Sequence, residues 1–136
     1  MSDAKKPAER TETEWKQLLS AEAFNVLRKH GTERAGTSPL NAEKRTGIYT
    51  CAACGTPLFE STTKYDSGSG WPSFYAPLPG AVATSTDHGA GMIRVEVHCK
   101  SCGGHLGHVF TDGPRPTGER YCMNGVALKF DPKQGA

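Results

Sequence analysis

Residues 92–104 read Met92-Ile93-Arg94-Val95-Glu96-Val97-His98-Cys99-Lys100-Ser101-Cys102-Gly103-Gly104. Ile93, Val95 and Val97 alternate with Arg94, Glu96 and His98, the period of two that marks a strand with one apolar and one polar face. The strand runs straight into a Cys-x-x-Cys turn followed by glycine, and the same turn stands earlier as Cys51-Ala52-Ala53-Cys54-Gly55. Glycine lets the backbone bend so that its amides approach the thiolate sulfurs. Two such knuckles offer four soft ligands for a closed tetrahedral Zn²⁺ site, each sulfur about 2.3 Å from the metal. A thioredoxin-like dithiol and a set of unligated buried cysteines are the competing readings; the former calls for a βαβ context that is not apparent here. A tetrahedron of four sulfurs has no open position for substrate, so a metal there acts as a clip between distant turns and not as the catalyst.

Composition explains why a clip is useful. The chain has 136 residues, the size of one domain, and Leu, Ile, Val and Phe together number only 21. Disorder is excluded because the net charge is only +2, whereas Gly and Pro, 25 residues together, point to many turns. A thin, loop-rich core needs a staple. A pI near 8.3 without a long Lys/Arg block gives no electrostatic footprint for nucleic acid or an anionic membrane. The longest uncharged stretch, Ser67 to Thr86, is broken by glycines and prolines and cannot form a spanning helix. An odd cysteine count without a recognisable export signal leads us to expect a cytoplasmic protein rather than a disulfide framework.

Along the chain, residues 1–13 read as a polar arm of balanced charge, 14–131 as one domain and 132–136 as a short tail. Ser20 caps a helix through Phe24, Leu27 and Arg28 that stops at Gly31, preceded by a helical turn around Trp15, Leu18 and Leu19; these apolar residues are expected on the core. Residues 32–46 read as a wandering polar connection before a strand at Gly47 to Thr50, and a final alternation runs through Val126, Leu128 and Phe130. The expectation is a mainly β, antiparallel domain with one or two short N-terminal helices and a zinc clip. Two Gly-rich loops, Ser67–Phe74 and Gly113–Glu119, are places for functional side chains. His30, His88 and His98 are given no role.

Cys122 stands outside the knuckles, and unusual residues gather in three segments: Gly70-Trp71-Pro72-Ser73-Phe74, His105-Leu106-Gly107-His108-Val109-Phe110 with Asp112, and Arg120-Tyr121-Cys122-Met123-Asn124. In this order, and with both Cys-x-x-Cys pairs, the chain resembles the type B methionine sulfoxide reductases over about residues 14–131. The resemblance implies two small antiparallel sheets, a structural zinc on Cys51, Cys54, Cys99 and Cys102, and reduction of the R epimer of methionine sulfoxide in proteins and peptides. It also implies that Cys122 is the nucleophile.

The chemistry suits these residues. A sulfoxide sulfur is a soft electrophile whose oxygen leaves only when protonated, so a thiolate and an acid are both required. Cys122 supplies the sulfur, and Arg120 stabilises the thiolate if the stretch between them is extended. Imidazoles titrate near neutrality, and the resemblance puts His105 and His108 near the substrate oxygen, assisted by Asn124 and water; His108 is favoured as the acid. By resemblance Trp71 holds the substrate methyl, and Phe110 completes that wall. Asp112 either orients a histidine or pairs with Arg120. The plainer readings are a core aromatic for Trp71, zinc ligation for the histidines and a surface ion pair for Arg120 and Asp112.

Three positions depart from the family pattern. Ser69 stands where many members carry the resolving cysteine, so the sulfenic acid left on Cys122 is expected to be reduced by an external thiol, thioredoxin or another. Gly125 replaces a usual serine, and Ala35-Gly36 replaces a usual proline and aromatic. A zinc-ribbon binding module is the rival reading, and a redox or zinc sensor a third; the rival leaves Cys122 and the two histidines without a role.

Overall fold

The N-terminal helices follow from their caps in the computed structural model, which describes residues 11–29, 31–87 and 93–132. The Thr11 hydroxyl accepts from the Glu14 amide and the Glu14 carboxylate accepts from the Thr11 amide, a capping box that opens α1 (Glu12–Leu18) just inside the stretch read as a polar arm. Ser20 Oγ accepts from the Ala23 amide at 3.1 Å and opens α2 (Ala21–Lys29), and the Gly31 amide closes that helix on the Asn25 carbonyl. Trp15, Phe24, Val26 and Leu27 are buried, but Leu18 is 58% exposed, so the expectation that it packs on the core fails. It sits in the last turn of a two-turn helix that buries Trp15. Arg28 lies over the Trp15 ring and donates to the Cys102 carbonyl at 3.0 Å, fastening α2 to the second knuckle.

Among the described residues nine strands follow: β1 (Gly47–Cys51), β2 (Pro57–Glu60), β3 (Lys64–Tyr65), β4 (Ser73–Phe74), β5 (Val82–Asp87), β6 (Arg94–Cys99), β7 (His105–Phe110), β8 (Arg120–Met123) and β9 (Leu128–Pro132). They form two antiparallel sheets, three-stranded in the order β2-β1-β9 and six-stranded in the order β3-β4-β8-β7-β6-β5. The protein is therefore mainly β with two short helices, as expected. Aromatic rings join the layers. Phe74 of the larger sheet stacks on Phe59 at 4.3 Å and meets the Tyr49 edge at 5.1 Å, both from the smaller sheet, and Phe59 also reaches Tyr121. Each such pair contributes about 0.5–1.5 kcal/mol beyond its area.

The knuckles are hairpin ends, one in each sheet. The first joins β1 to β2 and the second β6 to β7. In both, the amide of the glycine after the second cysteine, Gly55 or Gly103, donates to the first cysteine's carbonyl at 2.8 Å with φ near +80°. Only glycine takes that backbone without strain.

Two details of the strand reading change. The alternation of residues 93–97 is real from Arg94 onward, yet Ile93 precedes the strand and is 74% exposed, and Val95 is 40% exposed. Only Val97, at the knuckle end, is fully covered. Val126 is not in the last strand but in a 3₁₀ turn, Gly125–Ala127, and the strand begins at Leu128. Among the described residues no helix is long and apolar enough to cross a membrane. Most of the polar arm, most of the C-terminal tail, Met92, His30 and His88 lie outside the described residues.

Phe74→Ala removes the ring shared by both sheets and is expected to lower the unfolding free energy by about 3–5 kcal/mol. Urea denaturation with an unchanged m-value checks this.

Candidate functional site

Cys122 occupies the middle of β8, with His108 of β7 directly across on one side and Ser73 of β4 across on the other. Side chains at cross-strand partners project from the same face. Arg120 shares that face, because β8 is extended, the condition on which the sequence reading rested. Glu96 lies opposite His108 on the next strand outward. The polar face of β6, seen already in the alternation of Arg94, Glu96 and His98, is thus continuous with the face that carries the thiol.

His105 should not share this face. It lies three residues from His108, and an odd spacing on a regular strand sends two side chains to opposite sides. The pairing resolves this: Val97 pairs with Gly107 but His98 pairs with His105, so Leu106 is an extra residue, a β-bulge that resets the alternation. The two imidazoles then meet edge to face at 5.4 Å. His105 is 3% exposed, and its Nδ1 hydrogen-bonds the Glu96 carboxylate at 2.8 Å, which fixes the ring. His108 is half-buried and lines the cleft.

Asn124 holds the bulge. Its amide nitrogens, backbone and side-chain, both donate to the Leu106 carbonyl, at 2.8 and 2.9 Å, and its Oδ1 accepts from the Glu33 amide at 2.8 Å. This buried side chain is committed on both ends, so it positions the site more than it contacts substrate. Glu33 is the second half of the device. Its carboxylate accepts from the Gly125 and Val126 amides at 2.7 and 3.1 Å, and its carbonyl accepts from the Trp71 indole Nε1 at 3.0 Å. One residue of the polar connection therefore joins Asn124, the following 3₁₀ turn and the tryptophan. Gly125 has a steric reason here, since a Cβ at that position would overlap the Ser38 hydroxyl.

The cleft over Cys122 has a volume of about 310 Å³ and includes Trp71, His108, Phe110, Arg120 and Asn124 in its lining. The Arg120 guanidinium lies 4.4 Å over the Phe110 ring and holds both Asp112 carboxylate oxygens, at 2.9 and 3.2 Å. That guanidinium keeps the Asp112 carboxyl below its usual range, chiefly through hydrogen bonding, and Asp112 raises Arg120 in return. Of the two roles foreseen for Asp112 the structure has the pairing with Arg120; Glu96 orients the histidine. Glu33 and Glu96 were not singled out from sequence. Glu96 had a signal, its place on the polar face of β6, whereas Glu33 had none in an irregular connection.

The remaining four cysteines converge. Their sulfurs lie within 4.8 Å of one another, with Cys51 and Cys102 3.7 Å apart and Cys54 and Cys99 3.6 Å apart. Sulfurs about 2.3 Å from one centre in a tetrahedron stand about 3.8 Å apart, so the spacing fits a metal. The bond with Cys102, first among the sulfur contacts, pulls Cys54 below the ordinary thiol range and Cys99 to about 7, while it pushes Cys51 up.

Residues 19–132 match the SelR domain family. Peptide methionine sulfoxide reductase MsrB of Agrobacterium fabrum is 50% identical over 134 residues, 97% of this chain and 99% of the relative. The proteins of the same name from Pseudomonas putida and Methanosarcina barkeri are 54% and 52% identical, covering 94% and 93% of this chain and 97% and 90% of theirs.

Asn124→Ala leaves the Glu33 amide without its acceptor, while the Leu106 carbonyl keeps the backbone amide of residue 124, and is expected to cost about 1–3 kcal/mol. Asn124→Asp keeps the acceptor for Glu33 and should cost less. Equilibrium denaturation of the two variants side by side checks the order.

Proposed function

The chain belongs to the SelR-domain family of MsrB peptide methionine sulfoxide reductases, and on that footing we propose a mechanism in which it reduces methionine-R-sulfoxide in peptides and proteins with Cys122 as nucleophile. The observation that carries this reading is the register: Cys122 and His108 face each other across β7 and β8 on the floor of a cleft walled by Trp71 and Phe110. The substrate's methyl group rests on the Trp71 indole, whose plane is held by the bond from Nε1 to Glu33. The Cys122 thiolate attacks the sulfoxide sulfur while His108 delivers a proton to the oxygen. His105 is tied to Glu96, whereas His108 lines the cleft directly across from Cys122 and is the imidazole placed to serve it. Oxygen ends on Cys122 as a sulfenic acid, methionine leaves with two more electrons, and the cysteine has lost two. Arg120, stacked on Phe110 and paired with Asp112, presents positive charge on the thiol's own face.

Two external thiols then restore the enzyme, releasing water and a disulfide between themselves. Ser69, 3.5 Å from the Cys122 sulfur, has no thiol to offer, and the other four cysteines are engaged with one another. Thioredoxin is a suitable donor, and a reducing cytoplasm a suitable setting. Cys51, Cys54, Cys99 and Cys102 would hold one Zn²⁺, which would clip the two hairpin ends together.

Single-turnover reduction of separated R and S epimers of a methionine sulfoxide peptide is expected to consume R alone, and Cys122→Ser to abolish it. Loss of the S epimer at the same rate, or turnover by the variant, would sink the mechanism. After one turnover without reductant the intact mass should show one added oxygen on Cys122 and no new disulfide.

Cys54→Ser is expected to lower bound zinc well below one per chain and to lower the thermal midpoint by several degrees, since metal binding stabilises the folded state. Metal analysis with a thermal melt checks both.

A further inference from the structure

Three serines run in a line from the sheet to the nucleophile. Ser73, 1% exposed and opposite Cys122 across β4 and β8, lies 2.7 Å from Ser67, oxygen to oxygen. Ser67 Oγ lies 2.8 Å from Ser69 Oγ, and Ser69 Oγ lies 3.5 Å from the Cys122 sulfur. The Trp71 carbonyl is an alternative acceptor for both ends, 3.1 Å from Ser73 Oγ and 3.4 Å from Ser69 Oγ. The loop that carries the line is itself held, since its Gly70 carbonyl accepts from the Gly36 amide at 2.7 Å and from the Asn41 side chain at 3.0 Å.

Each hydroxyl has one proton to donate, so the state of the sulfur sets the direction of the whole line. An ionised sulfur can only accept. Ser69 then turns its proton to the sulfur, Ser67 turns to Ser69, and Ser73 turns to Ser67. A neutral thiol can donate to Ser69 Oγ, and the Trp71 carbonyl then takes the protons of Ser69 and Ser73. The change is a rotation of hydroxyl groups; no covalent bond forms or breaks. Hydrogen bonds that polarise one another in a shielded place strengthen, and bonds to a charged acceptor are the strong ones.

We propose that Ser69 is a catalytic residue whose hydroxyl donates to the Cys122 thiolate, with Ser67 and Ser73 as positioning residues that aim it. The proposal rests on Cys122 being the nucleophile. It gives Ser69 a positive function at a position where the chain lacks a resolving thiol, and predicts that the serine line sets the rate of attack on sulfur and leaves substrate binding alone.

The test uses the full-length, zinc-loaded protein with Ser69→Ala, Ser69→Thr, Ser67→Ala and Cys122→Ser. Iodoacetamide alkylation of Cys122 at neutral pH, followed by peptide mass mapping, separates this thiol from the cluster; kcat and KM are measured on a methionine-R-sulfoxide peptide, and each thermal midpoint is recorded. Ser69→Ala is expected to slow alkylation and kcat together by about tenfold with KM unchanged, the worth of one hydrogen bond to an ionised group. Ser67→Ala should lose about threefold, and Ser69→Thr, which keeps a hydroxyl, should recover most of the loss. Wild-type alkylation by Ser69→Ala would overturn the proposal, as would a loss that Ser69→Thr does not restore, which marks a packing role. Turnover by Cys122→Ser would instead remove the nucleophile on which the proposal rests, whereas a silent Cys122→Ser beside an unaffected Ser69→Ala would defeat the serine line alone.

Discussion

Four sulfurs within 4.8 Å of one another draw the hairpin ends of two different sheets to one point, and the rest of the structure is built around that convergence. Each knuckle is the turn of a hairpin, so fixing the turns fixes how the three-stranded sheet lies on the six-stranded one. The aromatic rings of Tyr49, Phe59, Phe74 and Tyr121 then fill the space between the layers. The chain has few aliphatic residues to do this job, and the cysteine cluster at the edge and the large rings in the middle share it. Helix α2 joins the same assembly through Arg28 and the Cys102 carbonyl.

The site uses a different constraint. A regular strand offers one residue in two to a given face, yet His105 and His108, three residues apart, meet on the face that carries Cys122. The extra residue at Leu106 supplies the missing parity, and Asn124 holds its carbonyl with two hydrogen bonds. The same asparagine receives Glu33, and Glu33 receives Trp71. Cys122, His108 with Phe110, and Trp71 therefore come from three separate stretches of chain, and Glu33 from a fourth ties Trp71 and Asn124 into one hydrogen-bonded frame. Precise placement of this kind is what a transition state with a developing S–O cleavage requires.

Much of this was legible in residue order. The strand at residues 94–98, the Ser20 cap with its Gly31 stop, and the pairing of two Cys-x-x-Cys turns all depend on short-range spacing, and short-range spacing is visible in one dimension. The candidate site was also legible, since Cys122 stands outside the Cys-x-x-Cys pairs and His105, His108 and Trp71 each follow a glycine, and the cleft holds or adjoins them. Burial was less legible. Leu18, Ile93 and Val95 are apolar and exposed because neither helix nor second sheet reaches them, and no local pattern records how far another layer extends.

Sequence alone thus determined the mainly β character, the two Cys-x-x-Cys turns and the candidate site residues, because these follow from residue type and from separations of a few residues along the backbone. Tertiary structure alone decided which groups meet. The β-bulge shows only in the pairing of β6 with β7, and Glu33, in a connection with no periodicity, acquires its role from partners that lie 38 residues away at Trp71 and 91 away at Asn124. Contacts across such distances are set by the packing of sheets, which no local rule of composition or period encodes.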